Sequence, residues 1–325
     1  MSRLKPHFVN VARSVVSAGL LAWLIAGADA RQVWAILRGV DLQLYLLCAL
    51  ISTGGMLLRV TRWKVMLDAA GARVSFRRAF YLCYVGAFFN TFLPTGLGGD
   101  VIRVLEVGRG ATPQQAAGTI LVERMAGFLV LFGLMLAVLP AASAVLPPAT
   151  VGALALLAMG VLAAGALILE GRLVRRVVAR LPLPRALSLA GDTWLGQMYA
   201  VVTASGRRAL GLALAISLVF NLSIIFTNWL TTRALGLPVP LGLVAVALPV
   251  ISATLLVPAS ISGFGVREAA VVALLGQAGI GPEQALVLSL TWYSLDMVDG
   301  LLGGVIYFLS GILGLRPSRH PTAAT

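Results

Sequence analysis

Two arginines close matching broken runs in this chain. Arg103 ends the stretch Leu93-Pro94-Thr95-Gly96-Leu97-Gly98-Gly99-Asp100-Val101-Ile102-Arg103, and Arg267 lies in Val257-Pro258-Ala259-Ser260-Ile261-Ser262-Gly263-Phe264-Gly265-Val266-Arg267-Glu268. A helix that restarts after Gly98-Gly99, or after Gly263-Phe264-Gly265, presents free N–H groups and a positive dipole end. A guanidinium beside it adds a donor fork suited to phosphate. Two such ends facing each other would make a phosphate-sized site, with Asn90 as a polar group just before the first break. The alternative is structural: Asp100 with Arg103, and Glu268 with Arg267 or Arg124, are ion pairs that hold the broken segments.

The remaining candidates are acids inside apolar runs. Glu123-Arg124 lies in one, and Asp296 with Asp299 in another. Two aspartates at i and i+3 share a helix face, and on an apolar helix they need a proton or a partner. Three roles fit them: a coupling-proton site, a contact to a cationic headgroup, or a structural partner for Arg124 or Arg267. Asn221 and Asn228 form a polar stripe suited to interhelical hydrogen bonding. Enzyme signatures are missing. No phosphate loop or nucleophile elbow occurs, and His7 and His320 both lie in the tails. Gly96-Leu97-Gly98-Gly99 has no flanking strand to make it a dinucleotide loop. Cys48 and Cys83 form no metal spacing and read as packing thiols, so no cofactor and no metal are expected.

The elements that position these residues follow from composition. Of 325 residues 59% are hydrophobic and 11% charged, with a mean hydropathy of +0.95, which points to an all-α polytopic membrane protein. Six full spans are predicted, at 14 to 30, 42 to 60, 115 to 140, 149 to 169, 209 to 234 and 284 to 313. The apolar segments 76 to 109 and 238 to 280 are interrupted by Pro94, Gly96, Gly98 and Gly99, and by Pro258, Gly263 and Gly265. They are predicted to be re-entrant hairpins, whose bare backbone must be covered by protein or line a cavity. Trp63 and Trp229 precede the two breaks, Pro113-Gln114-Gln115 and Pro282-Glu283-Gln284 follow them, and the offset stays between 164 and 169 residues. The single membrane domain, 1 to 325, therefore divides into a first repeat at 42 to 140, a basic linker at 170 to 208 and a second repeat at 209 to 313.

Arginine and lysine give the orientation. With both termini cytoplasmic, 20 of them fall inside or at that edge, Arg59, Arg62 and Arg103 included, and only Arg31, Arg38 and Arg233 outside. Arg124 and Arg267 are left within the membrane. The net charge of +13 thus calls for no nucleic acid. This orientation makes the repeats inverted, the arrangement that supports alternating access. Residues 1 to 30 also have the outline of a signal peptide, ending at Ala28-Asp29-Ala30, but a retained helix is favoured. In the linker, Leu173, Val174, Val177, Val178 and Leu181 oppose Arg172, Arg175, Arg176 and Arg180. The segment reads either as a surface helix on anionic inner-leaflet lipids or as an ordinary basic loop.

The run from Asn90 to Arg103, the Glu123-Arg124 pair and the run from Pro258 to Glu268 together resemble the lysylphosphatidylglycerol synthase transmembrane region, also called the flippase-like family, over roughly residues 10 to 314. The resemblance implies a membrane domain that moves or holds a lipid, as in the multiple peptide resistance factor, where such a half is fused to a soluble aminoacyl-transferase. Only the lipid-handling role carries over to this chain. The expected function is an inner-membrane lipid transporter or flippase for an amphiphile with an anionic headgroup. Arg103 and Arg267 would bind the headgroup, Asn90 and the Gly98-Gly99 and Gly263/Gly265 breaks would shape the cavity, and Asp100, Glu123, Arg124, Glu268, Asp296 and Asp299 would balance charge or couple a proton. The rival readings are an intramembrane transferase with a lipid-linked donor and an accessory subunit of a lipid pathway; a homo-oligomer is possible.

Overall fold

A computed structural model describes residues 27–93, 98–108, 110–180, 188–189, 191–254, 263 and 265–312. Among them are twelve helices and no strand. They are α1 (Ala30–Arg38), α2 (Leu42–Ala69), α3 (Phe76–Phe92), α4 (Gly98–Leu105), α5 (Pro113–Ala142), α6 (Pro148–Glu170), α7 (Arg172–Arg180), α8 (Trp194–Ala204), α9 (Arg207–Ala234), α10 (Leu241–Thr254), α11 (Val266–Gln277) and α12 (Pro282–Ile312). Five of them, α2, α5, α6, α9 and α12, are long and apolar enough to cross a membrane. Their outward faces carry exposed Leu46, Leu50, Leu57, Leu156, Leu222 and Phe308, which only a lipid surround makes favourable. The chain is an all-α polytopic membrane protein. The predicted span 14 to 30 lies largely outside the described residues. Its predicted end differs, because Asp29 starts a new helix by accepting from the Arg31 N–H at 2.8 Å.

Local sequence accounts for the ends. Thr112 and Gln115 form a capping box at the start of α5, with Pro113 at its first position. Ser75 caps α3 and Asp41 caps α2. The second helix runs nine residues past the predicted end at 60, carrying Arg62, Lys64 and Asp68 as part of the helix.

α2 and α9 pack antiparallel. The Asp41 N–H donates to the Ala234 carbonyl at 2.8 Å, Gly55 lies against Phe220, and Arg62 reaches Ser217. The end of α2 and the end of α9 therefore lie at opposite ends of the bundle. One is the basic end, with Arg73, Arg77, Arg78, Arg207 and Arg208; the other is the far end. From the basic end α3 rises and α4 returns. The Arg73 N–H donates to the Gly110 carbonyl at 2.7 Å, and the Arg78 guanidinium donates to the Glu106 carbonyl. From the far end α10 descends and α11 returns, so that Leu237, Val239, Leu243, Leu275, Ala278 and Ile280 share one apolar core. Thr150 Oγ1, near the start of α6, donates to Gln277 Oε1 at 2.6 Å. The two broken segments are thus helical hairpins that open to opposite ends.

Each hairpin packs against a long helix distant in sequence: α3 on α12 and α10 on α5. Gly300 and Gly303 of α12 admit Thr91 and the Tyr84 backbone, and a Cβ on Gly303 would come within 1.9 Å of the Tyr84 carbonyl oxygen. Beyond α6, Gly171 turns the chain with φ of 76° into α7. There Arg175 donates to Thr203 Oγ1 at 3.0 Å while Leu173 and Val177 are exposed. α8, which the sequence reading missed, is capped by Thr193 and buries Tyr199 and Val202 against α5 and its neighbours. Leu181, Pro182 and Pro184 lie outside the described residues.

Candidate functional site

The first charged centre surrounds Glu123. This carboxylate, 2% exposed, takes Arg103 Nη2 on Oε2 at 2.6 Å and Arg62 Nη2 on Oε1 at 3.2 Å, with Arg59 Nε at 3.8 Å. Arg103 also donates through Nη1 to Asp100 Oδ1 at 3.1 Å and stacks its guanidinium 4.0 Å over the Trp63 ring. Asp100 Oδ2 takes Arg124 Nε at 2.6 Å, and Arg62 Nη1 donates to Ser217 Oγ at 2.9 Å. Trp63 is in turn fixed by its indole N–H on Thr119 Oγ1 at 3.1 Å. This nest joins α2, α4, α5 and α9. Arg103 is 1% exposed with both terminal nitrogens committed. It fits the ion-pair alternative, positioning Glu123 and clamping α4 to α5, better than direct headgroup contact.

Arg62 and Ser217 were not read as part of any site. Arg62 stands beside Arg59, Lys64 and Arg73, so it looked like one more residue at the basic edge. The one available signal was helical spacing: Arg59 and Trp63 share a face of α2, with Arg62 beside it, and a buried Glu123 needs donors.

The second centre lies where the hairpins approach α12. The Tyr293 hydroxyl donates to the Thr91 carbonyl at 3.4 Å, near the tip of the α3–α4 hairpin. The Arg267 guanidinium lies 4.3 Å over the same Tyr293 ring from the α10–α11 hairpin. Arg267 Nε donates to Glu268 Oε1 at 3.0 Å, and Glu268, fully buried, accepts the Gly265 N–H on Oε2 at 2.7 Å. One turn along α12 from Tyr293, Asp296 is exposed, and no hydrogen bond to its carboxylate occurs among the described residues. A further turn on, Asp299 accepts from Thr53 Oγ1 at 2.9 Å and Ser52 Oγ at 3.2 Å. Both aspartates also lie within electrostatic reach of Arg59.

The breaks serve backbone geometry. Gly263 and Gly265 both hold φ of 81°, where a side chain is strained. A Cβ on Gly99 would sit 1.8 Å from the Gly86 carbonyl oxygen. Gly98 is buried at the start of α4. Asn90 Oδ1 accepts the Gly99 N–H at 2.8 Å, so the predicted N–H ends already have an intrachain acceptor at both breaks: Asn90 at one and Glu268 at the other. Of the partners expected for the aspartates, Arg124 is taken by Asp100 and Arg267 by Glu268. Pro94, Gly96 and Pro258 lie outside the described residues. Asn221 bridges helices by donating to the Gly127 carbonyl at 3.3 Å, whereas Asn228 donates within its own helix to Ile224 at 2.9 Å.

Residues 10–303 match the lysylphosphatidylglycerol synthase TM region. The chain belongs to this family. No curated protein matches it. Membership of the lysylphosphatidylglycerol synthase TM family makes this a membrane protein with a lipid-related function. Both Arg103 and Arg267, and every acid discussed above, fall inside the matched range.

Proposed function

We propose that this protein is an inner-membrane lipid transporter or flippase for an amphiphile with an anionic, phosphate-bearing headgroup. The observation that carries the reading is the meeting of two oppositely opening hairpins at Tyr293, with Arg267 and the exposed Asp296 beside it in the middle of a long apolar helix. Arg267 is buried and paired with Glu268, so it is the exposed Asp296 whose carboxylate, in the middle of an apolar helix, is costly unless it faces a polar ligand or water. Arg267 supplies a planar donor for phosphate, and Asp296 and Asp299 balance its charge or carry a proton. Related units that open to opposite ends are the inverted repeats that let a site at mid-depth face each leaflet in turn. In this reading the hairpins are re-entrant, and the basic end, with α7 on anionic inner-leaflet lipids, is cytoplasmic.

The test is transport itself. Full-chain protein in liposomes of defined composition should expose a labelled phospholipid headgroup to an impermeant quencher. Arg267→Ala should slow this by about tenfold or more, equivalent to about 1.4 kcal/mol, and Arg267→Lys by less. Product formation in detergent without two leaflets would favour the transferase alternative. Single cysteines near Arg78 and Arg180 should be labelled from the cytoplasmic side only, and ones at Gln277 and Pro148 from the other.

A further inference from the structure

Arg59 differs from its neighbours around Glu123 in having nothing to hold. Arg62, Arg103 and Arg124 each donate hydrogen bonds to a carboxylate. Arg59 approaches Glu123 only through Nε at 3.8 Å, beyond hydrogen-bond range, and no hydrogen bond from it occurs among the described residues. The Glu123 oxygens are already shared, Oε1 taking Arg62 and Oε2 taking Arg103. The Arg59 side chain is also 26% exposed, against 3% for Glu123, so part of it faces open space.

What Arg59 faces follows from α2. Helical side chains lean toward the N-terminus, which in α2 is away from the basic end. Arg59 therefore leans toward Ser52, on the same face two turns back and about 10 Å along the axis. Ser52 and Thr53 donate to Asp299 at 3.2 and 2.9 Å, and Tyr45, seven residues before Ser52, meets Ser294 at 2.6 Å, so the seam between α2 and α12 is polar at both contacts. Asp296 and Asp299 both lie within electrostatic reach of Arg59, and Asp296 within that of Arg267 as well. Yet Arg59 forms no ion pair with either aspartate among the described residues. Opposite charges at this depth draw together unless water or a ligand stands between them. We propose that Arg59 is a second phosphate-binding residue of the mid-depth site beside Tyr293, on its basic-end side. The headgroup phosphate sits at Arg59 first and at Arg267 next. Asp296, lying between the two arginines, repels a phosphate that would bridge both, so the ligand is held at one and released to the other. This rests on the central reading above and adds to it the residue that receives the headgroup from the basic end.

The probe is phosphatidylethanolamine with a diazirine amide on its headgroup nitrogen, which leaves the phosphate as its one charge. Its control is an uncharged glycosyl diacylglycerol with the same diazirine on the headgroup, and both are used on the full-length protein in liposomes. Crosslinks to the α2 and α12 peptides that bear Ser52 and Asp299 should be at least about tenfold stronger from the phosphate lipid, a difference of about 1.4 kcal/mol. Arg59→Gln should remove that preference and slow transport by about tenfold or more. Arg59→Lys should restore part of both, because an ammonium still binds phosphate as a point charge. Arg267→Ala should keep the α2 crosslink while transport is lost. Thermal unfolding of Arg59→Gln should shift less than that of Glu123→Gln, since Arg62 and Arg103 keep Glu123 paired. Equal crosslinking from both lipids in the parent would overturn the role of Arg59. So would a preference unchanged in Arg59→Gln: with transport slowed, Arg59 is a structural partner of Glu123, and with transport normal but lost in Arg267→Ala, the central reading stands without it. A parent protein that moves no lipid would remove the central reading and the role of Arg59 together.

Discussion

The α3–α4 and α10–α11 hairpins lie on matching stretches of sequence, yet their arginines are held in different ways. Both are buried, at 1% and 5% exposure, but Arg103 has two carboxylates and a tryptophan face, whereas Arg267 has the neighbouring Glu268 and a tyrosine face. The offset explains the difference: Glu123-Arg124 of the first unit corresponds to Trp292-Tyr293 of the second. An acid thus gives way to a tryptophan, whose indole N–H donates to the Asn228 carbonyl at 3.0 Å and Thr231 Oγ1 at 2.9 Å. The first stretch forms a charged clamp. In the other, the arginine is paired with Glu268 and has the exposed Asp296 nearby.

The largest effect should come from breaking the clamp. Glu123→Gln leaves Arg62 and Arg103 without their shared carboxylate, and removing one partner of a buried pair costs about 3–5 kcal/mol in soluble interiors. Thermal unfolding in detergent should fall far more for this variant than for Arg267→Ala. Comparable losses in both would erase the contrast between the hairpins.

Next in size is Gly99→Ala. Its Cβ would meet the Gly86 carbonyl at 1.8 Å, so α3 and α4 must separate. Overpacking of this kind costs about 1–3 kcal/mol, and the Asn90 hydrogen bond to the Gly99 N–H is lost as well. A single-residue change at the hairpin's crossing should therefore lower stability measurably while Gly133→Ala, in open space, does not.

Much of this was legible before any coordinates. Pro94, Gly98 and Gly99, with Pro258, Gly263 and Gly265, announced both hairpins, because glycine and proline in an apolar run leave backbone that needs cover. The membership of Arg62 and Ser217 in the nest was not legible, since it depends on how α9 crosses α2 and α5, and local periodicity carries no crossing information. The same holds for the partners of Asp299: Ser52 and Thr53 are ordinary helix residues until α12 is laid against them. The acceptors at the two breaks, Asn90 and Glu268, were singled out for other roles because sequence spacing shows proximity along the chain and not the direction of a side chain.

The smallest effect on stability, and the sharpest on function, is expected at the aspartates. Asp299 receives two hydroxyl hydrogen bonds, so Asp299→Asn keeps an acceptor for one of them and should cost about 1 kcal/mol or less. Asp296 has no such partner to lose, and Asp296→Asn should leave unfolding unchanged within about 0.5 kcal/mol. Transport should respond in the opposite order. If Asp296 carries a coupling proton, its asparagine variant will still bind phospholipid but will no longer respond to a pH step imposed across the liposome membrane, while Asp299→Asn will respond weakly. If Asp296 only offsets the charge of Arg267, the variant will alter headgroup preference toward more anionic lipids and keep whatever pH response the parent shows. An Asp296→Asn protein that unfolds early would contradict both, and would place this carboxylate with Glu123 among the groups that hold the fold.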